Sequence, residues 1–164
     1  MKNALYALGT AAVLVAPSPL WSQQNATILA DSLAAQALVD AVLSQQIVSP
    51  AAQSNRKLLT GGVEYVVRDG ADVYTVQVAQ MTKRTQLAFW SGSGANFRVF
   101  TDFTLDGKVD VAAGQSCTQD RCQRLRYQRP TEDLAPINAE AEGDAQTLYG
   151  RELRRVMRAL RISE

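Results

Sequence analysis

The chain has 164 residues, with 17 Lys plus Arg, 16 Asp plus Glu, no histidine and two cysteines. That length suits one domain, and a formal charge of +1 supplies no global field for a nucleic-acid partner or an anionic membrane. Without imidazole there is no His general base, no Ser–His or Cys–His nucleophile pair and no His-ligated metal; two cysteines are too few for a structural zinc site.

Residues 1–22 have the layout of a secretory signal peptide. Lys2 supplies the positive start, residues 4–16 form an uncharged, largely apolar run, and Pro17 and Pro19 are expected to end any helix there. The run is shorter than the roughly 20 residues that span a bilayer. Ser22 before Gln23 is the expected cleavage point, and no cysteine follows the run as a lipid attachment site. Cleavage removes Lys2, the only charge in the segment, and leaves acids and bases equal in number. The expected product is a single periplasmic or secreted domain over 23–164, with no later membrane span and no stable membrane anchor. Asn25-Ala26-Thr27 fits the glycosylation pattern but lies too close to the cleavage point to carry weight.

Residues 27–48 are rich in Ala, Leu, Val and Gln and hold neither Gly nor Pro, which predicts a helix. Its expected buried face carries Leu29, Leu33, Val39 and Leu43, interrupted by Ser32, Gln36 and Asp40. Ser49-Pro50 stops it, and 51–62 read as a linker. Strand signals then follow in series. Val63, Tyr65 and Val67 alternate with polar residues; Asp69-Gly70 is a hairpin turn; Tyr74, Val76 and Val78 share one face of the returning strand. A turn at Thr82-Lys83, a strand over 84–90, a loop at Ser91-Gly92-Ser93-Gly94 and a strand marked by Phe97, Val99 and Phe103 come next. Asp106-Gly107 turns the chain again into a strand beginning at Val109 and Val111. Strands joined by tight turns, with no helices between them, pair antiparallel.

The segment from Asp102 to Asp110 resembles the first nine positions of an EF-hand or dockerin calcium loop. Asp102, Thr104 and Asp106 fall at ligand positions 1, 3 and 5, Gly107 at the sharp turn and Asp110 at position 9. Ala113 stands where the bidentate carboxylate belongs, and no helix pattern flanks the loop. A plain hairpin turn is the competing reading, and calcium is the only cofactor the sequence suggests.

Cys117-Thr-Gln-Asp-Arg-Cys122 reads as a disulfide in an exported protein. It is either a staple on a hairpin tip or a rigid loop presenting Asp120 and Arg121 to a partner. The spacing is not the C-x-x-C of thiol oxidoreductases. As a presented loop it resembles the disulfide-clamped loop of one family of periplasmic lysozyme inhibitors. The likeness covers these six residues, and the histidine of that family's loop has no counterpart here. Arg121, Arg124, Arg126 and Arg129, with Leu125 and Tyr127 between them, look like an edge strand with a polar outer face.

A stretch of five acids between 132 and 144 precedes the last helix. Asp144 is its expected N-cap; Tyr149, Leu153, Val156, Met157 and Leu160 share one face, and Arg151, Arg154, Arg155, Arg158 and Arg161 the other. The arginines are expected to be neutralised within the chain or to lie on a solvated face. Ser54-Asn-Arg-Lys57 matches S-x-x-K without its companion motifs. Glu64 and Asp72 are carboxylates with nothing in the sequence to pair them.

These readings give an α+β fold, an antiparallel meander of about five or six strands packed by an N-terminal and a C-terminal helix. The expected function is non-enzymatic binding of an envelope or secreted protein through the Cys117–Cys122 loop. The alternatives are a small carboxylate-dependent hydrolase and a calcium-binding domain. No nucleic-acid partner is expected.

Overall fold

The computed structural model describes residues 19–44, 55–81, 84–93, 95–131 and 135–162. The run at 4–16 and the turn at Thr82-Lys83 lie outside them.

Helix α1 spans Pro19–Ser44. Proline opens it rather than ending one: in the first helical turn its missing N–H has no intrahelical partner to lose. The expected cleavage point at Ser22 therefore lies inside a continuous helix. The polar and apolar residues of α1 follow no helical period, and the buried face is only partly the expected one: Val39 is buried and Leu43 half-buried, as expected. Asp31, Ala34, Ala35, Leu38, Val39 and Val42 are buried, whereas Leu29 and Leu33 are 61% and 65% exposed. The stretch Gln23–Ser44 is also long and apolar enough to cross a membrane by length and composition, contrary to the expectation that no segment beyond residue 22 is. Here its buried face packs into the core.

Seven strands follow, β1 Asn55–Leu59, β2 Gly62–Asp69, β3 Asp72–Met81, β4 Arg84–Ser93, β5 Asn96–Asp102, β6 Val111–Cys117 and β7 Cys122–Gln128. They form one antiparallel sheet in sequence order, so β1 and β7 are its edges. The expected turn at 69–70 closes β2 on β3, with Asp69 opposite Asp72 and Gly70 at φ +60°, a conformation open to glycine without strain. Strand β1 was hidden in what reads as a linker: it is short, and Leu58 is 70% exposed, so no alternation marks it. Ser91 and Ser93 continue β4 instead of forming a loop. Residues 103–110 make a longer excursion than a two-residue hairpin, delaying β6 to Val111.

Tyr74, Val76 and Val78, then Leu87 and Phe89, Phe100, Ala112 and Tyr127 point to the buried face of the sheet, as period-2 side-chain alternation requires. A 3₁₀ turn, Ala139–Ala141, runs into helix α2, Glu142–Leu160. Its N-cap is Ala141, with no side-chain cap bond. Asp144 lies instead in the first turn beside Glu142, where the helix dipole favours acids. All five apolar residues expected on the inner face of α2 are buried. The rings of Phe89, Phe100 and Tyr149 meet at centroid distances of 5.3–6.2 Å and join sheet to helix.

Candidate functional site

Three places in this framework gather polar chemistry: the 103–110 loop, the disulfide tip, and the hollow beneath α2 near β5, β6 and β7.

In the 103–110 loop the expected metal ligands have other partners. Asp102 is completely buried. Its Oδ1 accepts the N–H groups of Thr104 and Leu105 (3.2 and 2.7 Å), and its Oδ2 accepts Gly107 N–H (3.2 Å) and the Tyr149 hydroxyl (3.0 Å). Asp110 accepts Phe103 N–H at 2.6 Å and pairs with Arg129 at 2.8 Å; Asp106 accepts Lys108 N–H and meets the same arginine at 3.1 Å. Thr104 is exposed and contributes its backbone N–H. Gly107 has φ +78°, and a Cβ there would collide with the backbone of Ile28 and Ser32 in α1. The turn glycine therefore seats the loop on the helix. Among the described residues no three His, Cys, Asp or Glu side chains are placed to hold a metal ion. The loop's carboxylates are met by its own amides, the Tyr149 hydroxyl and Arg129, partners that a calcium ion would have to displace.

Burial sets the acid–base character of this cluster. Loss of water raises the Asp102 carboxyl above its ordinary value, against the pull of Thr104 and Leu105 N–H and the Tyr149 hydroxyl. Asp110 is raised for the same reason, opposed by Phe103 N–H and Arg129. Tyr149 stands well above its ordinary value through burial first and the Asp102 charge second. Gln146 of α2 bridges the loop to α1, donating to Gly107 O at 2.8 Å and Asp31 at 3.0 Å. Asp31 also meets Arg154 at 2.9 Å.

At the tip, Cys117 and Cys122 are cross-strand partners joined by a disulfide. The tip closes with Thr118 N–H donating to Arg121 O at 2.8 Å. Asp120 and Arg121 are exposed, and their side chains make no hydrogen bond or ion pair among the described residues. Strand β7 is the edge strand expected: Arg124 and Arg126 face out, and Leu125 and Tyr127 alternate inward.

The hollow beneath α2 went unread in the sequence. Glu152, on the inner side of α2, is completely buried. It pairs with Arg98 of β5 at 3.0 Å, with Arg151 at 3.4 Å and with Arg155 at 3.6 Å, and accepts the Ser91 hydroxyl at 3.1 Å. Arg155 also reaches Asp72 at 3.6 Å, beside the Tyr74 hydroxyl. Burial raises the Tyr74 phenol, with Arg155 opposing and Asp72 assisting. Of the helix arginines, Arg151, Arg154 and Arg155 are thus paired within the chain, by Glu152, Asp31 and Asp72; the acids Glu132 and Asp133 lie outside the described residues. Two adjoining hollows of about 590 and 240 Å³ open here and share Arg98, Gln115 and Ser116. Their floor is low because β6 turns only Ala112, Gly114 and Ser116 toward the helix, where β4 and β5 supply Phe89 and Phe100.

No open carboxylate pair for hydrolysis is formed by the residues considered from sequence. Glu64 accepts from Gln77 at 2.6 Å on the outer face of β2, whereas Asp72 faces the helix side of β3. Compared with protein-family models, with curated proteins and with solved structures, the chain matches none.

Proposed function

We propose that the protein is an exported, non-enzymatic binding module that presents the Cys117–Cys122 tip to an envelope or secreted protein. The observation that carries the reading is the tip itself: exposed, uncommitted charges on a four-residue loop whose two ends are covalently tied. A clamped loop loses little conformational freedom on docking. Export is supported by the disulfide, which persists in oxidising compartments, and by the apolar N-terminal run.

The test is cross-linking in the native envelope with the wild type and with the double variant Asp120→Ala, Arg121→Ala. Both substitutions are on the surface and are expected to change stability by less than about 0.5 kcal/mol. A defined cross-linked protein, present with wild type and lost with the variant, supports the reading; an unchanged cross-link pattern removes the tip from it. Cys117→Ser is expected to weaken the same cross-link and to lower stability by about 2 kcal/mol, the chain-entropy value for so short a loop. Urea unfolding with and without reductant measures the latter.

A further inference from the structure

Both helices pack on one face of the sheet. On the other face, from β2 to β7, no described side chain is buried, yet that face is built around two aromatic rings. Trp90 of β4 and Phe97 of β5 lie on it, opposite in phase to the inward Phe89 and Arg98. The register makes them diagonal cross-strand neighbours, within reach of one another for large side chains. Phe97 is 45% exposed, and a hollow of about 440 Å³ opens beside the pair, with Val73, Thr75 and Gln77 in its lining. We propose that this outer face binds an acidic polysaccharide laid across the strands.

Charge selects the sign of the ligand. Arg68 of β2 and Arg124 and Arg126 of β7 are exposed on this face and make no hydrogen bond or ion pair among the described residues. The one described acid on the face, Glu64, is taken by Gln77 at 2.6 Å. With 17 bases against 16 acids in the whole chain, this is a separation of charge and not a general excess. Its counterpart is the helix side, where Asp102, Asp110 and Glu152 are buried.

The register lines these groups up. Arg68, Val73, Gly92, Phe97, Gln115 and Arg124 are successive cross-strand partners. One row therefore runs from arginine to arginine over strand spacings of about 4.8 Å each. Phe97 stands inside it, next to Gly92, which has no side chain and leaves room for the hollow. The adjoining row carries Trp90 and ends on Arg126. A chain along these rows meets cations at the ends, apolar ring faces in the middle and neutral hydrogen-bonding groups between. The Thr75 and Ser93 hydroxyls at the hollow make no hydrogen bond among the described residues, and Gln77 keeps its carbonyl oxygen as an acceptor. Sugar rings offer C–H faces to the aromatics and hydroxyls to these groups, and acid substituents take charge-assisted hydrogen bonds from the arginines. A second copy of the chain would set arginine-edged faces against each other. A nucleic acid carries a phosphate at every nucleotide, whereas the cations here stand only at the ends of the rows.

Calorimetric titration of the full chain with octagalacturonate, maltooctaose, polyglutamate and oligothymidylate tests this. Octagalacturonate is expected to bind, more weakly as salt rises because the arginines are exposed, and the other three to bind about tenfold more weakly or less. The double variant Arg68→Glu, Arg124→Glu is expected to weaken octagalacturonate by about tenfold or more, with an unchanged melting temperature because both positions are on the surface. Phe97→Ala, at an exposed ring, is expected to weaken it about fivefold. The double variant at Asp120 and Arg121 should bind octagalacturonate as the wild type does, so this site and the tip succeed or fail separately. No octagalacturonate binding, equal binding of any of the other three probes, or binding indifferent to the arginine pair or to Phe97→Ala overturns the proposal. So does a stable dimer in sedimentation that Phe97→Ala breaks, which would make a second copy the occupant of this face.

Discussion

Helix α2 buries two carboxylate clusters against the same sheet, and they are solved in opposite ways. Asp102 is met by three backbone N–H groups and the Tyr149 hydroxyl, all neutral donors fixed in the fold. Glu152 is met by three arginines and a serine hydroxyl, and the arginine side chains retain 26%, 56% and 48% exposure. Donors in the first cluster cannot move without unwinding the 103–110 loop. Those in the second are long side chains that reach water with a change of rotamer. The first cluster is therefore a structural joint between loop and helix. The second is a charged surface whose inner end is anchored on Glu152.

The sharpest way to break that contrast is to delete each carboxylate. Asp102→Ala strands buried donors that have no other acceptor, each worth about 1–3 kcal/mol when unsatisfied; the expected loss is about 4 kcal/mol. Glu152→Ala removes the formally stronger set of contacts, and losing one partner of a buried pair usually costs about 3–5 kcal/mol. Here the cations can turn to solvent, so the expected loss is about 2 kcal/mol. Urea denaturation of both variants decides the matter. A Glu152→Ala loss equal to or larger than that of Asp102→Ala would mean the arginines are as fixed as the amides, and the distinction between joint and surface would fail.

The sheet and α2 were legible because their signals are periodic. Alternation at Val63, Tyr65 and Val67 and the i, i+3, i+4 spacing of Tyr149, Leu153, Val156 and Met157 each bury the expected face. Helix α1 was legible as a helix but not as a surface, since polar and apolar residues are mixed on all its sides and give the pattern no phase. Its one buried acid, Asp31, marks the inner face, and that cannot be known until Arg154 and Gln146 are seen across from it. The calcium-like spacing at 102–110 shows the same limit. Asp, Thr, Asp and Gly suit a turn whose carboxylates cap amides as well as they suit a cation, and three-dimensional placement alone separates the two. For the hollow, two local signals were present and unread. Glu152 breaks the apolar stripe of α2, and Ala112, Gly114 and Ser116 leave the inner side of a strand without bulk. Arg98, in the inward phase of β5, completes the set only through the pairing of β5 with β6.

The smallest expected effect is the most specific to the joint. Burial places the folded-state carboxyl of Asp102 above its ordinary value of 3.8. Below that value the group is protonated whether the chain is folded or not, and it adds no pH dependence. Between 3.8 and the raised folded value the unfolded chain gives up its proton first, so the native state binds more protons and stability falls as pH rises. Asp102→Asn keeps an acceptor oxygen but does not titrate. Asp110, also raised by burial, is present in both proteins and cancels from the comparison to first order. The stability advantage of wild type over Asp102→Asn should therefore shrink between pH 4 and pH 7, as read from urea midpoints at each pH. An advantage that stays constant or grows would show that the amides and the Tyr149 hydroxyl offset the loss of water around this carboxylate, and the joint would then be held by charge, as the Glu152 cluster is.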